Sequence, residues 1–172
     1  MSRVETFRLG PLGWVPNNQN LAVAIYSEVE ASDGASKARA FERRFGEHGR
    51  PAQWRDTVFD YVHYHSTALE VLGVAVGRAD LMIGGEGGRR VTLSEEDALL
   101  LPAGTGHCLI RSSRDFEVIG AYPEGQDWDL CRSAPTADAL ERIRNLLAPR
   151  FDPVTGDALV QTEADQLAGK RR

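Results

Sequence analysis

The chain has few of the features that mark secreted, membrane-spanning or cysteine-rich proteins. Its 172 residues include only two cysteines, Cys108 and Cys131, whose separation fits neither a disulfide scaffold nor a cysteine-rich zinc site. No run approaches the roughly 18 apolar residues of a membrane span. The first ten residues, MSRVETFRLG, lack the apolar stretch of a signal peptide. We therefore expect a cytoplasmic protein that does not bind a membrane.

Positive charge is also in short supply. The chain carries 20 lysines and arginines against 25 aspartates and glutamates, which gives a net charge of −5. This balance offers no basic footprint, so we do not expect nucleic acid as a partner. Apolar residues make up 42% of the sequence, which is enough for a hydrophobic core. The length suits one domain, which we place over residues 1–172.

Glycine, by contrast, is abundant, with 17 residues in short clusters that indicate many tight turns. Apolar or alternating segments between these turns predict short strands about 8–12 residues apart, which favours a mainly β sandwich or closed barrel. We expect the barrel core at about residues 57–122. The predicted strands are 21–29, 57–65, 70–76, 78–83, 89–93, 98–101, 107–111 and 116–122.

Two segments outside the expected barrel core have helical periodicity. In 36–45, Ala38, Phe41 and Phe45 share one face, and in 136–147 an apolar stripe includes Leu140, Ile143 and Leu147. The first helix belongs to an N-terminal arm of a strand and a helix over residues 1–56. The second begins a C-terminal helix and tail over residues 123–172, whose last five residues we expect to be frayed.

Three of the four histidines lie in two short stretches. His63 and His65 are two residues apart on a predicted strand, so both rings project to the same face. Glu70 follows after a turn and can face them, whereas His107 arrives from a later strand, after the stiff bend that begins at Pro102. Three imidazoles and one carboxylate suit one divalent Mn, Fe, Co, Ni, Cu or Zn ion per chain. Four protein ligands leave positions open on an octahedral ion, as catalytic sites do.

A pair of histidines two residues apart is weak evidence alone, because a histidine in a strand is usually a packed or exposed residue. The fixed offset of Glu70 and the separate second stretch favour the metal site. Phe59 and Tyr61 share the predicted inward face with the histidines, either as barrel core or as the wall of a ligand pocket.

Several other features are expected to have no role in chemistry. The glycine-rich run 84–88 lies between two predicted strands, so we interpret it as a hairpin turn and not as a phosphate loop. Cys108 should face away from the metal as a small buried side chain. His48 is expected to be solvated, and Asp127 and Asp129 to belong to a surface loop.

Two sequence strings resemble a known family. HYHSTALEVLGVAVG, residues 63–77, resembles the first motif of the cupin superfamily, and LPAGTGHCLI, residues 101–110, resembles the second. The resemblance implies a six- to eight-stranded jelly-roll barrel and a metal bound by His63, His65, Glu70 and His107. More narrowly, the chain is similar to small single-domain bacterial cupins of the YjlB type, through segments such as WVPNNQNL, FERRF and GAYPEGQDWDL.

Three functions are consistent with these observations, and the fold alone does not choose among them. The first is a metal-dependent enzyme, of dioxygenase type, that acts on a small molecule, with Glu70 as a candidate base. The second is a non-catalytic cupin that binds or senses a small ligand around a structural metal. The third is a metal-free sugar isomerase or epimerase. We also expect a homodimer that pairs through a barrel edge, for which strand 21–29 is the candidate.

Overall fold

A computed structural model describes residues 3–30 and 36–158 of the chain. In this part the regular structure consists of short β-strands and two amphipathic helices. The helices are α1 (Lys37–Glu47) and α2 (Ala137–Asn145). The strands are β1 (Arg3–Phe7), β2 (Val23–Ser27), β3 (Ala52–Asp56), β4 (Glu70–Val76), β5 (Arg78–Ile83), β6 (Arg89–Ser94), β7 (Ala98–Leu101), β8 (His107–Ser112) and β9 (Glu117–Ala121).

All neighbouring strands are antiparallel and they form two sheets. The larger sheet has the order β1-β2-β7-β4-β9-β3, and the smaller has the order β6-β5-β8. The prediction of a mainly β protein is confirmed. Within the described residues the two sheets are not joined by hydrogen bonds into a closed barrel, so the jelly-roll barrel stays a prediction.

Strand β4 is the centre of the packing because both of its faces are buried. Leu72 and Val74 face the smaller sheet and belong to the apolar layer between the two sheets. Val71 and Ala75 point to the opposite side, where they belong to a second cluster with residues of α1. The result is three layers: the small sheet, the large sheet and helix α1.

Helix α1 confirms the predicted apolar face. Ser36 caps its N-terminus by accepting a hydrogen bond from Arg39 N, and Ala38, Phe41 and Phe45 are buried. The helix runs two residues further than predicted, to Glu47.

Helix α2 packs against loop residues, since Ile143 clusters with Val15, Tyr64 and Ala103. Thr136 caps its N-terminus, and Ala139 and Ile143 are buried. Leu140 is exposed and Leu147, which lies beyond the helix end, is 83% exposed. Of the predicted apolar stripe only Ile143 is buried, and the helix ends at Asn145, two residues earlier than predicted. Neither described helix is long and apolar enough to cross a membrane.

The segment 57–65 is not the regular strand that its alternation predicts. It makes isolated backbone pairs, in which His63 pairs with His107 and Tyr64 pairs with Cys131. Because these two consecutive residues pair with different segments, no continuous ladder forms here. The alternation still has a consequence, since Phe59 and Tyr61 stack with ring centroids 5.0 Å apart on the side of His63.

The sheet edges also differ from expectation. Strand β2, within the predicted strand 21–29, is paired on one side with β1 and on the other with β7, so it is not a free edge. The edges of the large sheet are β1 and β3, neither of which the sequence predicted. Both are five-residue strands with largely exposed or half-buried side chains, so they lack a strong apolar pattern. As predicted, residues 84–88 form the turn between β5 and β6.

The turn at residues 151–157 is held by hydrogen bonds to β2 and to the C-terminal end of α1. Tyr26 donates a hydrogen bond from its hydroxyl to the Asp152 carboxylate, and Asp152 Oδ1 accepts from Val154 N at 2.7 Å. His48 Nδ1 lies 2.9 Å from the carbonyl oxygen of Pro153. His48 is therefore a structural contact and not simply a solvated side chain. The predicted frayed end at residues 168–172 lies outside the described residues.

Candidate metal centre

The four residues predicted to bind a metal meet between the two sheets. His63 and His65 lie in the irregular segment before β4, Glu70 begins β4 in the large sheet, and His107 begins β8 in the small sheet. Mutual backbone hydrogen bonds of 2.9 and 3.2 Å hold His63 beside His107. All four side chains are buried, with 5% or less of their surface exposed.

The three histidine rings are oriented by the backbone. His63 Nδ1 lies 2.9 Å from the carbonyl oxygen of Tyr61, and His107 Nδ1 lies 2.9 Å from that of Thr105. His65 Nδ1 bonds the carbonyl oxygen of Asp129. A carbonyl only accepts hydrogen bonds, so each Nδ1 acts as the donor and each ring turns its Nε2 atom toward the cluster. Ligand atoms of the three histidines lie within 4.8 Å of one another.

Glu70 completes the cluster with an oxygen that lacks a donor. Its Oε2 lies 2.9 Å from His65 Nε2 and 3.2 Å from His107 Nε2. Nevertheless, within the described residues Oε2 has no hydrogen-bond partner of acceptable geometry. Two imidazole nitrogens and a carboxylate oxygen therefore converge on one point. A buried carboxylate oxygen without a donor is costly, and a cation bound between these three atoms would compensate for that cost.

The electrostatics of the cluster suit a cation. Burial, followed by repulsion from His107, lowers the pKa of His63 to about 3, so this ring is neutral. Burial alone would raise the pKa of Glu70, but its interactions with His65 and His107 hold that pKa well below its usual range. The carboxylate is thus ionised. These protonation states are the ones in which imidazole and carboxylate bind metals.

A hydrogen-bond relay fixes the other oxygen of Glu70. Trp54 donates from Nε1 to the Tyr122 hydroxyl at 3.0 Å, and this hydroxyl donates to Glu70 Oε1 at 3.2 Å. The relay holds Oε1 and leaves Oε2 directed at the histidines. Outer partners of this kind orient a ligand and tune its basicity.

A loop after β9 supports His65 from the outside. The Asp129 carboxylate accepts hydrogen bonds from Ser66 N at 2.6 Å, from the Ser66 hydroxyl and from the Cys131 thiol at 3.3 Å. The backbone N–H of Asp129 in turn donates a hydrogen bond to Thr67 Oγ1 at 3.0 Å. Asp129 lies in the predicted loop, where it is half-buried and bonds the residue that follows His65.

A cavity of about 270 Å³ opens beside the cluster and is lined in part by its four residues. The rest of the wall is largely aromatic, with Trp54, Phe59, Tyr122 and Trp128. Val58, Asp56 and Thr57 complete the lining. This is the mostly apolar composition, with few polar groups, that is typical of small-molecule sites.

Phe59 and Tyr61, which the sequence places on one inward face, have different positions relative to the cavity. Phe59 lines the cavity and is 43% exposed, so it lies at the wall and not in the sandwich core. Tyr61 does not belong to the described lining. Its ring stacks on Phe59 and carries the Arg132 guanidinium 3.7 Å from its centroid. Cys108 lies on β8 next to His107 and opposite Met82, as a half-buried residue outside the lining.

Three aromatic residues of the wall were not predicted from the sequence: Trp54, Tyr122 and Trp128. Trp54 lies on the unpredicted edge strand β3, and Trp128 lies in the loop after β9. Tyr122 directly follows β9, at the end of a predicted strand. The sequence contained one signal for Trp128, which lies beside aspartates in a loop, because exposed aromatic residues in loops often contact ligands.

Sequence comparison supplies one informative relative. No protein-family model matches the chain. A protein of Bacillus subtilis (strain 168), described as uncharacterized protein YjlB, is 35% identical over 154 residues, which cover 88% of this chain and 90% of that protein. The chain belongs to the YjlB family. The name of this relative does not state an activity. For this member of the YjlB family, a β-sandwich with a buried cluster of three histidines is compatible with the cupin resemblance of its sequence.

Proposed function

We propose that the chain is a divalent-metal cupin and a metal-dependent enzyme that acts on a small organic molecule. The observation that carries the proposal is the cluster of three backbone-oriented histidines, two of which place Nε2 within 3.2 Å of Glu70 Oε2, an oxygen without a hydrogen-bond partner among the described residues. Three imidazole nitrogens and one carboxylate oxygen fit Mn, Fe, Co, Ni, Cu or Zn, one ion per chain. His63, His65, Glu70 and His107 would be the protein ligands.

The cupin assignment is part of this proposal. The two antiparallel sheets would be the two halves of a jelly-roll barrel within a single domain over residues 1–172. The support is the position of the four residues: Glu70 comes from the large sheet, His107 comes from the small sheet, and their side chains meet between them.

The adjoining cavity favours catalysis over a purely structural metal. A structural site is closed by its protein ligands, whereas a catalytic site keeps open positions. Here four ligands leave two positions of an octahedral ion, and the 270 Å³ cavity is lined by the same four residues. A metal bound there supplies Lewis-acid or dioxygen chemistry. The protein residues orient the ligand set, and the aromatic wall excludes water.

A non-catalytic binding function is the second candidate, and one observation favours it. Apart from the four ligand residues, the described cavity wall offers few groups that can exchange a proton, namely Asp56, Thr57 and Tyr122. The Tyr122 hydroxyl is already engaged with Glu70, and burial raises its pKa above its usual range. A protein with this wall could hold a small ligand at the metal without converting it.

Elemental analysis and turnover measurements separate these functions. We expect about one divalent ion per purified full-length chain, with loss of the ion in His63→Ala and retention in His48→Ala, whose ring bonds Pro153 away from the cluster. Protein stripped and reloaded with Mn, Fe, Co, Ni or Zn is then screened in an oxygen electrode against small organic substrates. Ligand binding without turnover under every metal favours the binding function. Absence of any bound ion contradicts both and favours a metal-free isomerase.

A further inference from the structure

The aromatic wall of the cavity presents ring faces and few free hydrogen-bonding groups. Tyr122 and Trp128 are nearly parallel, with an interplanar angle of 19° and ring centroids 6.1 Å apart. The polar atoms of Trp54 and Tyr122 are used within the wall, since the indole N–H bonds the hydroxyl and the hydroxyl bonds Glu70. A ligand therefore meets the apolar surfaces of these two side chains.

The charge of the cavity limits the charge of its ligand. Among the lining residues that the structure describes there is no lysine or arginine, and the acidic groups are Glu70 and Asp56. A divalent ion with three neutral imidazoles and one carboxylate carries a net charge of about +1. One negative charge on a ligand is balanced by this ion. A second negative charge has no cationic partner and faces Asp56, so a phosphate-type dianion is disfavoured.

The volume of the cavity indicates the size of the ligand that it can hold. An engineered cavity of about 150 Å³ holds one benzene molecule. The cavity of about 270 Å³ therefore has space for one substituted six-membered ring.

We propose that the cavity binds a planar, single-ring aromatic monoanion, with its anionic oxygen at the metal and its ring against the wall formed by Trp54, Tyr122 and Trp128. This inference rests on the proposed metal function, because the metal supplies the only positive charge that faces the ligand within the described cavity. It adds the chemical class of the ligand, which the metal ligands alone do not specify.

The test compares two carboxylates with the same number of non-hydrogen atoms, one with a planar aromatic ring and one with a saturated, puckered ring. Full-length protein loaded with Co(II) is titrated with benzoate, with cyclohexanecarboxylate and with inorganic phosphate, and binding is followed by the visible absorption of the ion. Because contacts between aromatic rings contribute about 0.5–1.5 kcal/mol, we expect benzoate to bind about two- to tenfold more tightly than cyclohexanecarboxylate. Phosphate is expected to bind more weakly than either.

A variant assigns the preference to the wall. Trp128→Leu is expected to bring the ratio of the two carboxylate affinities close to one. Trp14→Leu is the matched control, because Trp14 is 38% exposed against 37% for Trp128 and lines a different cavity. It should keep the preference of the unmodified protein.

The outcomes distinguish this inference from the proposed function. If the protein binds Co(II) but has equal affinity for both carboxylates, or binds phosphate most tightly, the proposal of an aromatic ligand is contradicted. The proposed metal centre is not affected by that result. A preference that persists in Trp128→Leu overturns the assigned wall. Failure of the protein to bind Co(II) overturns the metal function and this inference together.

Discussion

At the scale of single residues, the three histidines are not held in the same way. The carbonyl partners of His63 and His107 are two residues earlier in the chain, at Tyr61 and Thr105, so local backbone geometry sets both rings. His65 instead bonds Asp129, 64 residues later. The orientation of this one ring depends on a tertiary contact, and it is the one that a distant substitution can disturb.

Asp129→Ala is therefore expected to weaken metal binding without removing a ligand. The substitution removes the acceptor that holds the loop against Ser66, so the carbonyl that orients His65 is no longer fixed. Loss of an outer partner typically lowers metal affinity about 10–100-fold. A competitive titration with a chelator measures this. Asp127→Ala, an exposed residue in the same loop, should leave the affinity unchanged; equal effects of both variants would contradict the role of the Asp129 carboxylate.

At the scale of the elements, strand β4 requires a residue without a side chain at its contact with α1. A Cβ added at Gly73 would overlap the ring of Phe41. Gly73→Ala is expected to lower the free energy of unfolding by about 1–3 kcal/mol, as overpacking of a core does. Denaturation in urea measures the change.

The control for this prediction lies on the same helix. Gly46 is in α1 and has open space around its Cα, so Gly46→Ala should be neutral or stabilising. Phe41→Leu combined with Gly73→Ala should recover part of the loss, because the smaller side chain relieves the overlap. A double variant no more stable than Gly73→Ala would argue against this packing explanation.

In the small sheet, one carboxylate on the central strand forms hydrogen bonds with side chains of both neighbouring strands. Asp80 on β5 accepts hydrogen bonds from Thr92 at 2.6 Å and Arg90 at 2.7 Å, both on β6, and from Arg111 on β8 at 2.7 Å. The Thr92 bond, followed by those of the two arginines, holds the pKa of Asp80 well below its usual range. Its charge therefore stabilises the fold at neutral pH.

Asp80→Asn should lower stability at pH 7 and lose this effect in acid. A carboxyl whose pKa is lower in the folded than in the unfolded state contributes stability above the unfolded pKa, which is about 3.9, and loses it as the pH falls. The difference in urea midpoint between the two proteins should thus narrow below about pH 4. Asp115→Asn, at an exposed position before β9, is the control. A constant difference across this range would contradict the ionic role of Asp80.

The parts of the fold that the sequence predicted are those with local periodicity. Strands β4 to β9 and the buried face of α1 follow from alternating or helical apolar patterns. The edge strands β1 and β3 were missed because an edge buries little surface, and so its residues need not alternate. The four candidate ligands were identified by spacing. Trp54 and Trp128 were not, because only the tertiary fold brings an edge strand and a loop to the same cavity.

At the scale of the whole molecule, the candidate metal centre lies where the two sheets meet. Glu70 belongs to the large sheet, His107 belongs to the small sheet, and their side chains approach within 3.2 Å. An ion bound by both would link the sheets at a point where the described strands share no ladder. Metal binding should therefore contribute to the stability of the entire sandwich and not only to the local site.

Removal of the metal is expected to lower the melting temperature by about 5–10 °C. A ligand present at 100 times its dissociation constant stabilises a fold by about 2.7 kcal/mol, and about 1 kcal/mol shifts the melting temperature of a chain of this size by about 2–4 °C. Calorimetry before and after dialysis against a chelator measures the shift, and re-addition of the ion should reverse it. His107→Ala removes the contribution of the small sheet, so its melting temperature should no longer respond to the chelator. A chelator-dependent shift of the same size in His107→Ala would show that the stabilising ion binds elsewhere, and no shift in the unmodified protein would show that the sheets are held without it.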